Sequence, residues 1–151
     1  MEKSQAIAFI ADKLKKYGGK IYNYQGTEFI GIKNPYSDNN IAITFGEEMA
    51  MEFTYQTARF KYGDEQDLIT HTEKYISGQL VAVEFFLNGK SVFGGSRSVE
   101  NLKTDTAEDI ALWYACGNEK IKDNLLTFFK NDGVSVKIFS YDKKHDFQTN
   151  L

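Results

Sequence analysis

The chain has 151 residues, 42% hydrophobic and 26% charged, which excludes a disordered chain and provides enough apolar side chains for a core. Eighteen basic and 21 acidic residues give a net charge of −3, and only Arg59 and Arg97 are arginines. A mildly acidic, arginine-poor chain lacks the electrostatic signature of nucleic-acid binding. No apolar run has the length of a membrane span, so we expect neither nucleic acid nor membrane as a partner.

The first forty residues predict a helix, a hairpin and a loop. Apolar residues recur every three or four positions over residues 2–17, and the Gly18–Gly19 pair is suited to end this amphipathic helix. Residues 20–33 have the alternation of a hairpin around a central glycine. Residues 34–40 include the only proline and form the clearest predicted loop.

The next segment predicts a meander. Residues 41–45, 49–56 and 58–62 alternate large apolar residues with polar or small ones, and Thr57 is a candidate bend or bulge. The apolar positions predict a core face. The opposite face of the last two strands carries the polar residues Glu52, Thr54, Gln56, Arg59 and Lys61.

The second half predicts a helix over 64–77, begun by Asp64, and then a strand over 80–87. Asn88–Gly89 is a strong hairpin turn signal, and residues 91–93 form the returning strand. After a polar loop over 96–104, the sequence predicts two short helices and a final strand. The signals for these are a capping box at Asp105 and Glu108, apolar residues over 110–114, an N-cap at Asn118, Gly133, and alternation over 134–138.

These elements predict the α+β class, with a mainly antiparallel sheet of about six to seven strands. The gaps between strands are mostly too short for parallel crossovers. We expect the N-terminal helix and two to three further helices to pack on this sheet. The expected organisation is one domain over residues 1–141 and a flexible tail over 142–151.

Residues with catalytic potential are few, and no motif joins any two of them. Cys116 precedes a predicted helix start, a position typical of reactive thiols, but a small buried hydrophobe is the commoner fate of a free cysteine. His71 lies within a predicted helix and His145 in the predicted tail, at no spacing typical of metal ligands. We therefore predict no metal and no cofactor. A single cysteine also excludes an intramolecular disulfide.

Two further candidates are more simply explained by structure. Glu52 and Glu84 lie in predicted strands, where paired carboxylates can do acid–base work, but a solvent-facing position explains both. The glycine-rich segment over 94–98 has the composition of an anion-binding nest, but no helix follows it directly. A bend in an edge strand explains that segment better.

The aromatic residues are the most informative part of the composition, since Phe, Tyr and Trp make up 15% of the chain. Most Phe residues fall on predicted core positions, including Phe29 and Phe128. Tyrosine is enriched at interfaces because it combines apolar area with a polar tip. The predicted partner-binding residues are Tyr22, Tyr24, Tyr36, Glu52, Tyr55, Arg59 and Tyr62.

The strand pair MEFTYQTARF, the helix over 64–77 and the hairpin GQLVAVEFFLNGK together resemble small bacterial toxin-immunity-like proteins. The resemblance covers roughly residues 40–95. It implies a non-catalytic protein that binds a protein partner such as a toxin. Members of that group often carry His in the strand pair, where this chain has Thr57 and Arg59, so no site residue is carried over.

The sequence thus predicts a small protein that binds another protein. The first nineteen residues interleave charges with apolar residues and lack the apolar core of a signal peptide, so we expect a cytoplasmic location. One alternative is a small-molecule binding module with an aromatic-lined pocket. The other is an enzyme using Cys116, Glu52, Glu84, Arg59 or His71, and we do not expect this activity.

Overall fold

A computed structural model describes residues 2–47, 50–56, 58–101, 108, 111–112 and 115–150. Its elements are three α-helices and nine strands in the described residues. The helices are α1 (Lys3–Leu14), α2 (Glu65–Ile76) and α3 (Glu119–Asp132). Two short 3₁₀ helices are also described, at Lys15–Tyr17 and Val99–Asn101. The strands are β1 (Gly19–Tyr24), β2 (Thr27–Ile32), β3 (Ile41–Phe45), β4 (Met51–Tyr55), β5 (Ala58–Tyr62), β6 (Leu80–Leu87), β7 (Lys90–Ser98), β8 (Val134–Phe139) and β9 (Phe147–Asn150).

The strands form two antiparallel sheets, which confirms the predicted α+β class. The first sheet is a meander in the order β1-β2-β3-β4-β5, and the second has the order β7-β6-β8-β9. The prediction of one sheet with six to seven strands is wrong. The chain leaves the first sheet at β5, passes through α2 and starts a second sheet at β6, which pairs with β7 and β8 and buries apolar side chains on both of its faces.

The larger core lies between one face of the first sheet and the helices α1 and α2. Helix α1 contributes Ile10 and Leu14, and α2 contributes Leu68 and Tyr75. The strand residues of this core alternate along each strand, as one face of a pleated sheet requires. In the first sheet they are Ile30, Ile32, Ile41, Ile43, Phe45, Met51, Phe53, Tyr55 and Ala58.

A smaller core lies on one face of the second sheet, where Val81, Val83 and Phe85 of β6 pack with Phe129 of α3. The apolar face predicted for α3 is partly wrong. Phe128 is 47% exposed, whereas Lys122 is buried, with its Nζ 2.7 Å from a carboxylate oxygen of Glu108. An ion pair of this kind lets a helix bury a lysine where its pattern would predict an apolar residue.

The local turn and cap signals are largely confirmed. Asn88 and Gly89 have positive φ values of 50° and 80°, as a two-residue hairpin turn demands. The Asp64 carboxylate accepts a hydrogen bond of 2.9 Å from the N–H of Asp67, and the Asn118 side chain caps α3 in the same way. The residues Met49, Thr57, Asp105, Trp113 and Tyr114, which carried other local predictions, lie outside the described residues.

Two segments differ from the sequence prediction. Strand β7 continues to Ser98, so residues 94–98 form part of an edge strand and the predicted loop over 96–104 begins later. The segment expected as a flexible tail contains β9, which pairs with β8 from Phe147 to Asn150. Backbone pairing at a sheet edge gives little sequence signal, which is why polar residues in this segment suggested a tail.

Candidate functional site

The first sheet has one face that no described helix covers, and we call it the open sheet face. Its residues alternate with the core residues of the same strands and fall into two cross-strand rows. The first row is Tyr22, Phe29, Thr44, Glu52 and Lys61, and the second is Lys20, Gly31, Ala42, Thr54 and Arg59. All ten are exposed or half-buried, so this face is available to a partner.

The β1–β2 side of the open sheet face is aromatic and apolar. The rings of Tyr22 and Phe29 stack with their centroids 5.5 Å apart and their planes 18° from parallel. Beside them Gly31 and Ala42 leave a shallow hollow of about 230 Å³, which also borders Lys33 and Asn40. The small residues beside the ring pair leave a space large enough for an apolar side chain.

The β4–β5 side of the same face is charged. Oε1 of Glu52 accepts hydrogen bonds of 2.6 Å from Nη2 and 3.0 Å from Nε of Arg59. This ion pair fixes the guanidinium of Arg59, whose side chain remains 67% exposed. Lys61 lies beside Glu52 in the cross-strand register. Because exposed ion pairs add little stability, the pair acts mainly to fix the shape and charge of this side.

Four of the seven predicted partner-binding residues lie on the open sheet face. Tyr22, Glu52 and Arg59 belong to the rows, and Tyr24, 67% exposed, lies on the same face at the hairpin tip. Tyr36 is also exposed, but it lies in the loop after β2, where its ring contacts Tyr141 edge-on.

Tyr55 and Tyr62 do not lie on the open sheet face as predicted, because both side chains point to the core side of their strands. Tyr55 is fully buried, and its ring contacts those of Tyr75 and Tyr141. Tyr62 is half-buried with its ring 5.2 Å from that of His71. The alternation of the segment places both with Phe53 and Phe60, so sequence position alone, without strand parity, was a poor guide to their exposure.

Phe29 is the site residue that the sequence assigned wrongly, since it was expected in the core. It lies half-buried on the open sheet face opposite Tyr22. The signal was present in the alternation: Ile30 and Ile32 are fully buried, so the positions between and before them, Gly31 and Phe29, must face the other side.

The structure does not bring together the catalytic candidates of the sequence. Glu52 and Arg59 lie on the open face of the first sheet, whereas His71 packs against the core face of that sheet. Glu84 lies in the second sheet, opposite Lys137 of β8. Cys116 is exposed in a turn with a φ of 52°, so its expected burial as a small hydrophobe is wrong.

His71 is enclosed by four aromatic rings. Its ring centroid is 4.8 Å from those of Phe53 and Phe60 and 5.2 Å from those of Tyr62 and Tyr75. Nε2 of His71 is buried and has no hydrogen-bond partner among the described residues. Burial, with a smaller effect from the charge of Lys74, lowers the pKa of His71 to about 4. The imidazole is therefore a neutral packing residue at physiological pH.

The described residues contain no group of three or more His, Cys, Asp or Glu side chains placed to hold a metal ion. In the same part of the chain, no helix has both the length and the apolar character needed to cross a membrane. The hollow beside Tyr22 and Phe29 is smaller than the roughly 300 Å³ at which small-molecule pockets begin. A larger hollow of about 510 Å³ lies between the start of α1 and the β1–β2 turn, and none of the described residues that line it is aromatic.

No protein-family model, curated protein or solved structure matches this chain. The case for a function therefore depends on the geometry and chemistry of the open sheet face.

Proposed function

We propose that this chain acts by binding another protein through the open sheet face, and that it has no catalytic role. The observation that carries the proposal is the uncovered face itself, which joins a stacked aromatic pair and an apolar hollow to a fixed ion pair on one continuous surface. Interfaces typically combine aromatic anchors with a polar rim in this way.

The charge of the face indicates the chemistry of the partner. The two rows contain three basic residues, Lys20, Arg59 and Lys61, and one acidic residue, Glu52. The two rows therefore have a net positive charge, opposite in sign to the net charge of −3 of the whole chain. We therefore propose a partner with an acidic surface and an apolar side chain that enters the hollow beside Tyr22, since complementary charge favours encounter and orientation.

A protein surface suits this face better than nucleic acid. The guanidinium of Arg59 is engaged by Glu52, so it is not presented for bidentate contact with a phosphate. The hollow is apolar, and the basic residues lie at both ends of the face without forming a stripe.

The resemblance of the strand pair, the helix and the β6–β7 hairpin to toxin-immunity-like proteins supplies the finer form of this proposal. In that form the chain is a cytoplasmic bacterial protein that neutralises a toxin by occupying an acidic surface of it. The resemblance alone supports this part, and the charge and shape of the open sheet face are compatible with it.

The test is co-purification of the tagged chain with the protein encoded beside its gene. We expect capture by the unchanged chain and at least a tenfold weaker affinity, or about 1.4 kcal/mol, for Phe29→Thr and Lys61→Glu. The matched control is Phe128→Ser, which removes an exposed aromatic ring of α3 away from the face. Equal capture by all variants, or binding of duplex DNA that depends on Lys61, would overturn the proposal.

A further inference from the structure

Strand β1 is the free edge of the first sheet. The sheet order begins with β1, and no described strand pairs with its outer side. The opposite edge, β5, is in contact with β7 of the second sheet. The first sheet thus has one edge beside a neighbouring strand and one open to solvent.

This free edge lacks the usual protection against pairing with another strand. Among the described residues, half of the exposed large hydrophobic side chains are in β1, namely Ile21, Tyr22 and Tyr24. The strand has no proline, and its register with β2 is continuous from Gly19 to Tyr24 with no bulge. Lys20 is its one charged residue. Natural edge strands normally carry prolines, bulges or several charges for this purpose.

The hairpin geometry identifies which backbone groups are available. The two-residue turn at Gln25 and Gly26, both with positive φ, joins the pair Tyr24 and Thr27. Hydrogen-bonded and non-hydrogen-bonded pairs alternate from that pair along an antiparallel ladder. The N–H and C=O groups of Ile21 and Asn23 are therefore directed to the free edge.

We propose that β1 pairs antiparallel with β1 of a second copy of this chain, in the register centred on Tyr22. Ile21 of each copy then forms a hydrogen-bonded pair with Asn23 of the other. The two Tyr22 residues lie directly opposite each other, and Lys20 lies opposite Tyr24 of the second copy. The open sheet faces of both copies join into one continuous surface.

The composition of β1 favours a second copy over an unrelated strand. Tyr22 already stacks on Phe29, so the proposed register extends this pair into a row of four rings across the two-fold axis. Each Lys20 lies opposite the ring of Tyr24 of the other copy, which is an attractive cation–π arrangement. The two lysines lie at opposite ends of the interface and do not repel each other. One strand thus supplies both halves of a complementary set, as an isologous interface requires.

The first experiment measures the mass of the purified chain in solution over a range of concentrations. We expect a dimer that dissociates on dilution, because a single pair of edge strands buries less area than a standard interface. Ile21→Pro removes an edge N–H without removing a bond to β2, so we expect a folded monomer. Phe128→Ser should leave the dimer intact. A chain that is monomeric at every concentration would overturn the proposal.

The second experiment tests the register and does not depend on how Ile21→Pro folds. Cys116 is exposed and is first replaced by Ser. In that background Tyr22→Cys places two thiols directly opposite each other, at a Cα separation suited to a disulfide, and we expect a covalent dimer on mild oxidation. Ile21→Cys places them farther apart and should cross-link much more slowly. Equal cross-linking of the two variants contradicts the register. Both experiments use the chain alone, so their outcome is separate from that of partner capture.

Discussion

The ring of Tyr22 lies directly over Gly31 of the neighbouring strand. A Cβ atom added at Gly31 would lie 2.9 Å from Cε2 of Tyr22, closer than van der Waals contact allows. The glycine therefore makes room for the edge of the Tyr22 ring where it stacks on Phe29, next to the hollow. A position that looks like a weakness in a strand thus shapes the proposed binding face.

Gly31→Ala should lower the affinity for a partner while leaving the fold intact. The tyrosine side chain is flexible enough to swing away, and alanine suits a strand better than glycine, so we expect the free energy of unfolding to change by less than about 1 kcal/mol. Partner affinity should fall as it does for Phe29→Thr. The control is Gly63→Ala, where an added Cβ meets no atom within 4 Å. Unchanged affinity for Gly31→Ala would show that the ring position is unimportant.

The stability of the chain should fall in mild acid because of His71. Its pKa is about 4 in the folded chain and about 6.5 when unfolded, so the unfolded state binds the proton first as the pH falls. The full stability is present above pH 6.5 and is progressively lost between about 6.5 and 4, by on the order of 3 kcal/mol. Urea denaturation at a series of pH values measures this slope.

His71→Leu should flatten that part of the stability profile, because it removes the titrating group from the four-ring enclosure. His145→Gln is the control, since His145 is exposed in the loop before β9. If the slope between pH 6.5 and 4 survives His71→Leu unchanged, other groups are responsible for it.

Tyr75→Phe and Tyr141→Phe should differ in their effect on stability although the substitution is the same, and only Tyr141→Phe should be destabilising. The Tyr75 hydroxyl is buried with no hydrogen-bond partner in the described part of the chain, so its removal should be neutral or stabilising by up to about 1 kcal/mol. The Tyr141 hydroxyl donates a bond of 3.3 Å to the carbonyl of Lys33, and its loss should cost about 1 kcal/mol. Thermal unfolding of both variants decides whether only the second is destabilising.

Asn34 should be the most sensitive residue of the loop after β2. Its buried side-chain amide donates hydrogen bonds of 2.8 Å to the carbonyl of Tyr141 and 3.1 Å to the carbonyl of Asn39. Its Oδ1 accepts a hydrogen bond from the N–H of Tyr36. Asn34→Ala removes all three hydrogen bonds and leaves the buried carbonyl of Tyr141 without this partner, so we expect a loss of about 2 to 4 kcal/mol in unfolding free energy. Asp38→Ala, at an exposed position of the same loop, should be neutral within about 0.5 kcal/mol.

The elements could be predicted from the sequence because their signals are local. The Asn88–Gly89 turn, the Asp64 cap and the alternation over β3 to β5 each depend on neighbouring residues. The division into two sheets could not be predicted in this way, because it depends on how β6 pairs with β8 across more than forty residues. Pairing between distant segments leaves no fixed pattern in a single sequence.

Part of the candidate site could also be predicted from the sequence, because strand parity is a local signal. Glu52 and Arg59 are assigned to one face by strand parity, and their contact follows from an ordinary two-strand register. Phe29 was missed because a phenylalanine in a strand is usually a core residue, and only the parity of Ile30 and Ile32 reveals that it faces outward. Residue type alone predicts Tyr55 at an interface, whereas its strand parity places it in the core.

The open sheet face and the core beneath it are encoded by alternate residues of the same strands. Thr44, Glu52, Thr54 and Lys61 can therefore change without altering the packing of Ile43, Phe53 or Phe60 on the other side. The proposed binding face can in this way be altered at little cost in folding. If the chain binds a changing partner as proposed, that separation lets it follow the partner through successive point substitutions.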